Sequence, residues 1–392
     1  MRIAIYNGNL EPPFFIDLLA KNLVNKNQVI FMVGTANRVS EYTIDGLIFV
    51  PTDSNKKHYL LFNLLSTGIR LILFNPTIFV RFLKILLKSK KNNKIKLKQF
   101  LIWSKLLLLK IDILHIQWAS HLILFEEVLD HKKYKVIVSL RGRLINVSPY
   151  IDKKLKLNYQ RNFPKIDGVH AVSKDILENL RKLKIDVKSS KVIYSGLELN
   201  SFPIKSDYSK KSNSSIELLS VGRHNWIKGY KYALLGIKIL IDRGVGINYT
   251  IVGDGNIEEI VYLIDALGLQ SNVKLIPKLS HENVLELMKE SDLFLMPSVS
   301  EGLANVVIEA MAVGLPVLSS YVGGMKDLIK GGVNGFFFEN RNSNDIAFSI
   351  EKFIDFDQEK LNLIVRQAKK DIVNNHEISH MCNEMIQFYN EV

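Results

Sequence analysis

Leu293-Phe-Leu-Met296-Pro-Ser298-Val-Ser-Glu301-Gly-Leu-Ala-Asn305-Val-Val-Ile-Glu309-Ala-Met-Ala-Val-Gly314-Leu-Pro316-Val-Leu-Ser319 holds a strand, a loop, a helix and the next strand in one run. Leu293–Met296 is a short apolar run without alternation, as in strands buried on both faces of a parallel sheet. A helix is predicted from near Asn305 to Gly314, followed by strand Pro316–Ser319. Glu301 then lies in the loop at the helix entrance and Glu309 about one turn inside. On an unbroken helix these carboxylates would sit on different faces, about 12 Å apart. A non-helical start at Gly302 lets both look into one pocket. The amides of Leu303, Ala304 and Asn305 would point out of the helix N-terminus, suited to a phosphate or a hydroxylated ring. The plainer reading is that Glu301 favours the helix dipole and Glu309 is solvated. Against it, Glu309 is flanked by Ile308, Ala310 and Met311, where an unpaired carboxylate is costly.

The same rhythm extends in both directions. Upstream, strand Ile216–Val221 leads to a helix over about Gly229–Asp242. Strand Tyr249–Val252 turns at Gly253-Asp-Gly255 into a helix carrying Ile257, Ile260, Val261, Ile264 and Leu267. Strand Val273–Ile276 and a helix after Ser280 complete the series. In the first half, strands are predicted at Ile3–Tyr6, Val29–Val33, Leu47–Val50, Ile113–Gln117, Val136–Leu140, Gly168–Val172 and Lys191–Tyr194. Ser195–Ser215, rich in Ser, Lys and Asn with Pro203 inside, reads as a linker and hinge. Strand–helix–strand repetition in both halves predicts an α/β protein of two doubly wound domains. Ligands of such sheets bind at the carboxyl ends of strands. The stretch 377–389 reads as a terminal helix outside this rhythm.

Val221-Gly222-Arg223-His-Asn-Trp-Ile-Lys228-Gly229 is a second constellation at the end of a strand. Arg223 offers a forked donor and Lys228 a point charge, and together they can neutralise a diphosphate without a metal. The alternative is two solvated loop cations.

Composition narrows the class. The 392 residues suffice for two domains with full cores, and a single cysteine, Cys382, excludes a disulfide scaffold. Met1-Arg-Ile-Ala-Ile-Tyr runs straight into a strand with no signal-peptide layout, which predicts a cytoplasmic protein. Residues 1–200 carry 33 Lys+Arg against 15 Asp+Glu, or +18, and the remainder 19 against 24, or −5. Between Asp53 and Asp112 there are 13 basic side chains and no acid, interleaved with apolar runs that Arg70, Arg81 and Lys84 keep too short to span a bilayer. Such a pattern suggests helices lying on an anionic membrane surface. It also fits a buried helix pair whose lysines snorkel to water. Nucleic-acid binding lacks any accompanying motif.

Gly-Arg-x4-Lys-Gly, Val-Gly-Asp-Gly and Ser-Glu-Gly-x6-Glu-Ala-Met-Ala-x-Gly-x-Pro-Val, in this order, resemble the retaining glycosyltransferases of family 4, the group 1 glycosyltransferases of surface polysaccharide synthesis. Tyr194-Ser-Gly196-Leu-Glu and Gly323-Gly324 add to the resemblance, which is strong over about residues 165–340. It implies a GT-B fold, two Rossmann-like doubly wound domains facing across a cleft. Residues 1–198 would bind the acceptor and 199–372 the nucleotide sugar, with 373–392 a helix crossing back to the first domain. Arg223 and Lys228 would hold the diphosphate and Glu309 the ribose hydroxyls. Glu301, Gly302, Leu303, Ala304 and Asn305 would contact the donor sugar. The family often has a Gly-Gly loop after its first strand, where this chain has Asn7-Gly8-Asn9, making Gly8 a donor-side candidate. It often has a His-Gly pair facing the donor sugar, where this chain has Arg141-Gly142. Arg141 could bond a sugar hydroxyl or a phosphate but does not titrate near neutrality. His115 matches the first His of a family His-x-His stretch and is an acceptor-side candidate, although a lone His after an apolar strand is more often structural. Glu301 and Arg141 are the catalytic candidates.

Asp355-Phe-Asp357 has a metal-binding form but lies far along the chain from these motifs, and no histidine cluster has zinc spacing. The expectation is a metal-independent, retaining glycosyltransferase without a cofactor. It would move a sugar from a nucleotide-diphosphate sugar to a lipid-linked saccharide of capsule, lipopolysaccharide or exopolysaccharide. It would lie peripherally on the inner face of the cytoplasmic membrane and bind no nucleic acid. The alternatives are a GT-B-like nucleotide-sugar epimerase and a non-catalytic nucleotide-sugar-binding relative.

Overall fold

The computed structural model of the chain describes residues 1–36, 46–54, 57–199, 202, 208–209 and 215–392. It forms two compact units. Unit 1 comprises Met1–Val172, Ile176–Ile193 and Met381–Val392, and unit 2 comprises Ser173–Asp175 and Tyr194–His380.

Unit 1 is built on β1 (Arg2–Asn9), β2 (Val29–Ala36), β3 (Leu47–Ser54), β4 (Ile113–Ile116), β5 (Lys135–Leu140), β6 (Gly168–Ala171) and β7 (Ser190–Val192). They form one parallel sheet in the order β3-β2-β1-β4-β5-β6-β7. Ile3, Ala4, Ile5, Ile113, Leu114, Val136 and Ile137 are all at most 2% exposed, which explains why these strands read as unbroken apolar runs. The strand order reverses between β1 and β4. The helices are α1 (Phe14–Asn25), α2 (Lys57–Phe74), α3 (Pro76–Lys88), α4 (Asn93–Leu108), α5 (Gly142–Asn146), α6 (Ser148–Ile151), α7 (Lys153–Asn162) and α8 (Lys174–Lys182).

The basic, apolar stretch therefore becomes the three helices α2 to α4. Among the described residues, no helix is long and apolar enough to cross a membrane. Leu61, Phe62, Leu65, Ile69, Leu73 and Phe74 of α2 are exposed, with Val80, Leu83 and Leu87 of α3. Arg70, Arg81, Lys84, Lys88, Lys90 and Lys94 are also exposed. Lys91 differs: it pairs with Glu126 and Glu127, each at 2.7 Å. Lys105 turns inward to the Pro51 carbonyl and to Asn63 Oδ1 at 2.9 Å. Burial, and then the nearby Arg70 charge, push its ammonium down to about 8.

Unit 2 repeats the plan with β8 (Ile216–Val221), β9 (Ile247–Gly253), β10 (Val273–Pro277), β11 (Leu293–Met296), β12 (Val317–Ser320) and β13 (Phe336–Phe338). Their order is β10-β9-β8-β11-β12-β13, again parallel and reversing once, between β8 and β11. Its helices are α9 (Tyr230–Asp242), α10 (Glu258–Ala266), α11 (His281–Glu290), α12 (Asn305–Val313), α13 (Met325–Leu328), α14 (Ser343–Ile354) and α15 (Gln358–Asn375). The last helix, α16 (Ile378–Glu391), begins in unit 2 and ends in unit 1.

Two boundaries differ from expectation. Unit 1 gives way to unit 2 at Ile193–Tyr194 rather than at 198, and the described part of the expected linker is not a free hinge. Leu197 pairs with Glu377, and Leu197, Phe202 and Tyr208 are buried in the core of unit 2. Spacing hides them, because three apolar side chains spread over a polar stretch show no period. Residues 200–201, 203–207 and 210–214 of that linker lie outside the described residues. At the other end, residue 373 is still inside α15, whose Ile372 is fully buried, so the tail segment begins later than expected.

Candidate active site

In unit 2 the strands β8 and β11 flank the reversal of strand order, and both expected constellations lie at their carboxyl ends. Pro297–Val299 follows β11 and Arg223–Lys228 follows β8, and the two loops are stitched by Val299 N–H donating to the Ile227 carbonyl at 2.7 Å. Gly229 makes that approach possible. It has φ +68°, and a Cβ there would lie 1.9 Å from the Pro297 carbonyl oxygen, so no other residue fits without moving backbone. From Gly229 the chain enters α9, and Tyr230 Oη donates back to the Gly222 carbonyl at 3.0 Å.

Lys228 and Glu301 are brought together. Lys228 Nζ lies 2.7 Å from Glu301 Oε1, with side chains only 18% and 14% exposed, and Ser298 Oγ donates to the same oxygen at 2.8 Å. Arg223 is different. It is exposed, and among the described residues it has no hydrogen bond or ion pair. The cation pair expected for a diphosphate thus consists of one open guanidinium and one ammonium already shared with a carboxylate.

Helix α12 begins at Asn305 with Ala304 as its N-cap and no side-chain cap. Among the described residues, no protein group accepts from the backbone N–H of Leu303, Ala304 or Asn305. An uncapped terminus of this kind carries partial positive charge and free donors at the end of β11. Glu309, one turn further in, is partly buried and turns to α11. Its Oε1 lies 3.3 Å from His281 Nε2. The hydrogen bond to Glu309 raises the imidazole pKa above its usual value, and the charges of Glu309 and Glu282 add to it against burial. Glu301 and Glu309 therefore face different partners, Lys228 and His281 respectively.

Gly323 and Gly324 also find a physical reason here. A Cβ on Gly324 would lie 1.8 Å from the Gly302 carbonyl oxygen. The turn after β12 rests on the Glu301–Gly302 backbone, which locks the loop before α12.

Sequence reasoning missed three participants. Ser298 was read only as part of a loop, although it orients Glu301. His281 gives no signal beyond following Ser280, whose hydroxyl caps α11 by accepting from Asn283 N–H at 3.3 Å. His224 is 4% exposed, and its backbone holds the Gly253-Asp-Gly255 turn through His224 N–H to the Asp254 carbonyl and Asn256 N–H to the His224 carbonyl. Burial lowers its imidazole pKa. A cleft of about 620 Å³ adjoins this loop, lined by His224, Trp226, Tyr232, Asn256, Glu258 and Arg341; Arg223, Lys228, Glu301 and Glu309 are not in its wall.

The other candidates lie in unit 1. Gly8 ends β1 at φ +93°, and a Cβ there would meet His121 Cε1 at 2.6 Å. Arg141 follows β5 and donates through Nη2 to Gln117 Oε1 at 3.1 Å. His115 is a correction to the acceptor-side expectation. It is 0% exposed, and both ring nitrogens are engaged, Nδ1 with Tyr389 Oη and Nε2 with Ser139 Oγ, each at 2.7 Å. Ser139 Oγ continues to His170 Nδ1 at 2.8 Å, and His170 Nε2 to the Ile193 carbonyl at 2.9 Å. This chain joins β4, β5, β6 and the last helix, and it leaves His115 no free nitrogen for a ligand. Asp355 ends α14, and Asp357 caps α15 by accepting from Lys360 N–H at 2.9 Å. Among the described residues, no group of three His, Cys, Asp or Glu is placed to hold a metal ion.

Residues 202–371 match the family described as glycosyl transferases group 1. The uncharacterized glycosyltransferase MJ1607 of Methanocaldococcus jannaschii is 29% identical over 211 residues, 51% of this chain and 53% of that protein. The putative colanic acid biosynthesis glycosyltransferase WcaL of Salmonella typhimurium is 25% identical over 273 residues, 65% of this chain and 66% of that protein. The chain thus spans between half and two thirds of the length of these relatives. Among solved structures, Anabaena Alr3699/HepE, in complex with UDP and glucose, superposes over 100% of both chains with a TM-score of 0.73 at 16% identity. The whole chain therefore has the two-domain GT-B fold, and its segment 202–371, which carries the Arg223, Lys228, Glu301 and Glu309 motifs, matches the group 1 glycosyl transferase family.

Proposed function

We propose that this protein is a retaining, metal-independent glycosyltransferase that moves a sugar from a nucleotide-diphosphate sugar to a saccharide acceptor in surface polysaccharide synthesis. One observation carries the reading: the open guanidinium of Arg223 and the uncapped N–H groups of α12 lie at the carboxyl ends of the adjacent strands β8 and β11, where a doubly wound sheet takes its ligand. The relative named for colanic acid biosynthesis supports the polysaccharide setting.

In the proposed reaction, the bond from the anomeric carbon to the diphosphate oxygen breaks and charge builds on the leaving phosphate. Arg223, and Lys228 as it shifts from Glu301, stabilise that charge in place of a metal. The acceptor hydroxyl oxygen bonds to the anomeric carbon from the leaving-group side, and its proton passes to the departing phosphate oxygen. Configuration is retained. Glu309 accepts from the ribose hydroxyls, while Glu301 and the amides from Gly302 to Asn305 orient the donor sugar. Unit 1 binds the acceptor, and at the ends of its strands β1 and β5 Gly8 serves the donor and Arg141 the reacting groups. The exposed apolar and basic side chains of α2 and α3 hold the enzyme on an anionic membrane surface, so that a lipid-linked acceptor is within reach.

Calorimetric titration with UDP, GDP and ADP, without metal, tests this. One nucleotide should bind with a Kd of about micromolar order. Arg223→Ala/Lys228→Ala should weaken it at least tenfold, since a hydrogen bond to a charged group contributes about 1.5–3 kcal/mol. A folded protein that binds none of the three, or a double variant that binds as tightly as the native protein, overturns the reading.

A further inference from the structure

Arg141 is a cation without a counter-ion. Among the described residues, no carboxylate lies within ion-pair distance of it. Its neighbours add no negative charge: burial, followed by the charges of His170 and Arg141, holds His115 well below its usual pKa, and burial with the Arg141 charge pushes His170 down to about 3.

Two aromatic rings, themselves edge-to-face, lie beside the guanidinium. Its Cζ lies 4.4 Å from the centre of the Phe15 ring and 5.8 Å from that of Trp118. Trp118 is held in turn by Nε1–H donating to Asn7 Oδ1 at 2.7 Å, and Asn7 by its amide donating to Asn9 Oδ1 at 2.7 Å. Aromatic faces offset part of the charge but accept nothing in the guanidinium plane, where its N–H groups point. There, Nη2 reaches Gln117 Oε1, whereas Nε is sealed from water with no acceptor. Gln117 is 0% exposed, and its Nε2 is likewise without an acceptor. Two donors without an acceptor and one cation without a counter-ion thus sit on two hydrogen-bonded side chains, which costs free energy unless an acceptor arrives. Both residues lie at the carboxyl ends of β4 and β5, beside the reversal of strand order between β1 and β4. Arg141 keeps partial exposure, so a ligand can reach it.

We infer that Arg141 and Gln117 form an oxyanion site that reads a carboxylate or phosphate carried by a saccharide substrate, making the enzyme selective for an acidic sugar. Only the statement that a sugar bears the anion rests on the glycosyltransferase reading. The planar fork suits a carboxylate or phosphate and gains little from a neutral hydroxyl.

The probes are glucuronate, glucose 1-phosphate and, as the neutral reference, glucose. Each is titrated calorimetrically into native protein, Arg141→Met and Arg141→Lys, with folding checked by circular dichroism. Native protein should prefer at least one anionic sugar over glucose by about tenfold or more. Arg141→Met should bind all three alike, and Arg141→Lys, which keeps the charge but not the fork, should lose most of the preference. A preference for glucuronate points to a uronic acid, and one for glucose 1-phosphate to a phosphorylated sugar. Native protein that does not distinguish the anions from glucose overturns the inference, as does a preference retained in full by either variant. UDP, GDP and ADP titrated into the same samples separate the two readings. If native protein binds no nucleotide yet Arg141 still sets the anion preference, the glycosyltransferase reading fails and the oxyanion site stands.

Discussion

Glu301 and Glu309 are each matched with a basic side chain, Lys228 at 2.7 Å and His281 at 3.3 Å. A carboxylate this poorly exposed is costly alone, and each partner offsets that cost. Glu309→Ala should weaken nucleotide binding by about 1.5–3 kcal/mol, roughly 10- to 150-fold, because a ribose hydroxyl loses a charged acceptor. Unchanged affinity in a folded variant removes Glu309 from the site. The His281 partnership carries a pH signature. Its folded pKa is raised, chiefly by Glu309, so its stabilising contribution is fully present below the unfolded value of about 6.5 and is lost as pH rises through the raised folded value. Glu282 and the ring of Phe202 also face the imidazole, and neither reverses the sign. Thermal melts of native protein and His281→Asn should therefore differ most near pH 6 and converge in the alkaline range. A difference that stays constant with pH shows that the pair does not act through charge.

At the scale of elements, the site depends on loops resting on loops. The turn holding Gly323 and Gly324 sits on the backbone of Glu301 and Gly302, and Gly229 sits on Pro297. Helix α12 itself is anchored by Val307, Ile308, Ala310, Met311 and Val313, all at most 1% exposed. A fully buried Val, Ile or Met side chain contributes about 1.5–3 kcal/mol, so the helix is held firmly in place. Gly324→Ala should destabilise unit 2 by about 1–3 kcal/mol, because its Cβ meets a carbonyl oxygen that only a backbone shift can move. The same shift should displace the amides of Leu303 to Asn305 and weaken nucleotide binding. Chemical denaturation and titration of one sample measure both effects. A variant with native stability indicates that the two loops are not in contact.

For the whole molecule, the charge asymmetry of the sequence becomes a surface on one unit. The exposed set of Arg70, Arg81, Lys84, Lys88, Lys90 and Lys94 lies on or beside α2, α3 and α4, among exposed leucines and phenylalanines. Each basic residue near an anionic bilayer contributes about 1 kcal/mol. Replacing Lys84, Lys88, Lys90 and Lys94 by Gln should release the protein from phosphatidylglycerol-containing vesicles in a flotation assay and leave nucleotide affinity unchanged. Lys105→Gln should not release it, because that side chain points to the Pro51 carbonyl and Asn63. Vesicle binding that survives the fourfold change assigns attachment to another surface.

Much of this was legible in the chain itself. Parallel strands buried on both faces leave unbroken apolar runs, so Leu293–Met296 and its counterparts announce two doubly wound sheets; in such sheets the strand ends are where Arg223, Lys228, Glu301 and Glu309 must fall. Pairing was not legible, because it joins residues remote in sequence. Nothing local tells that Lys228 rests on Glu301, that His281 faces Glu309, or that Tyr389 of the last helix closes on His115 and makes it structural. Nor does Arg141 by itself reveal that it lacks a carboxylate. Local patterning determined the elements and the ends at which chemistry sits, since period and capping act within a few residues. Only the tertiary structure decided which charges are spoken for and which are open, since that depends on distances between side chains up to 274 residues apart.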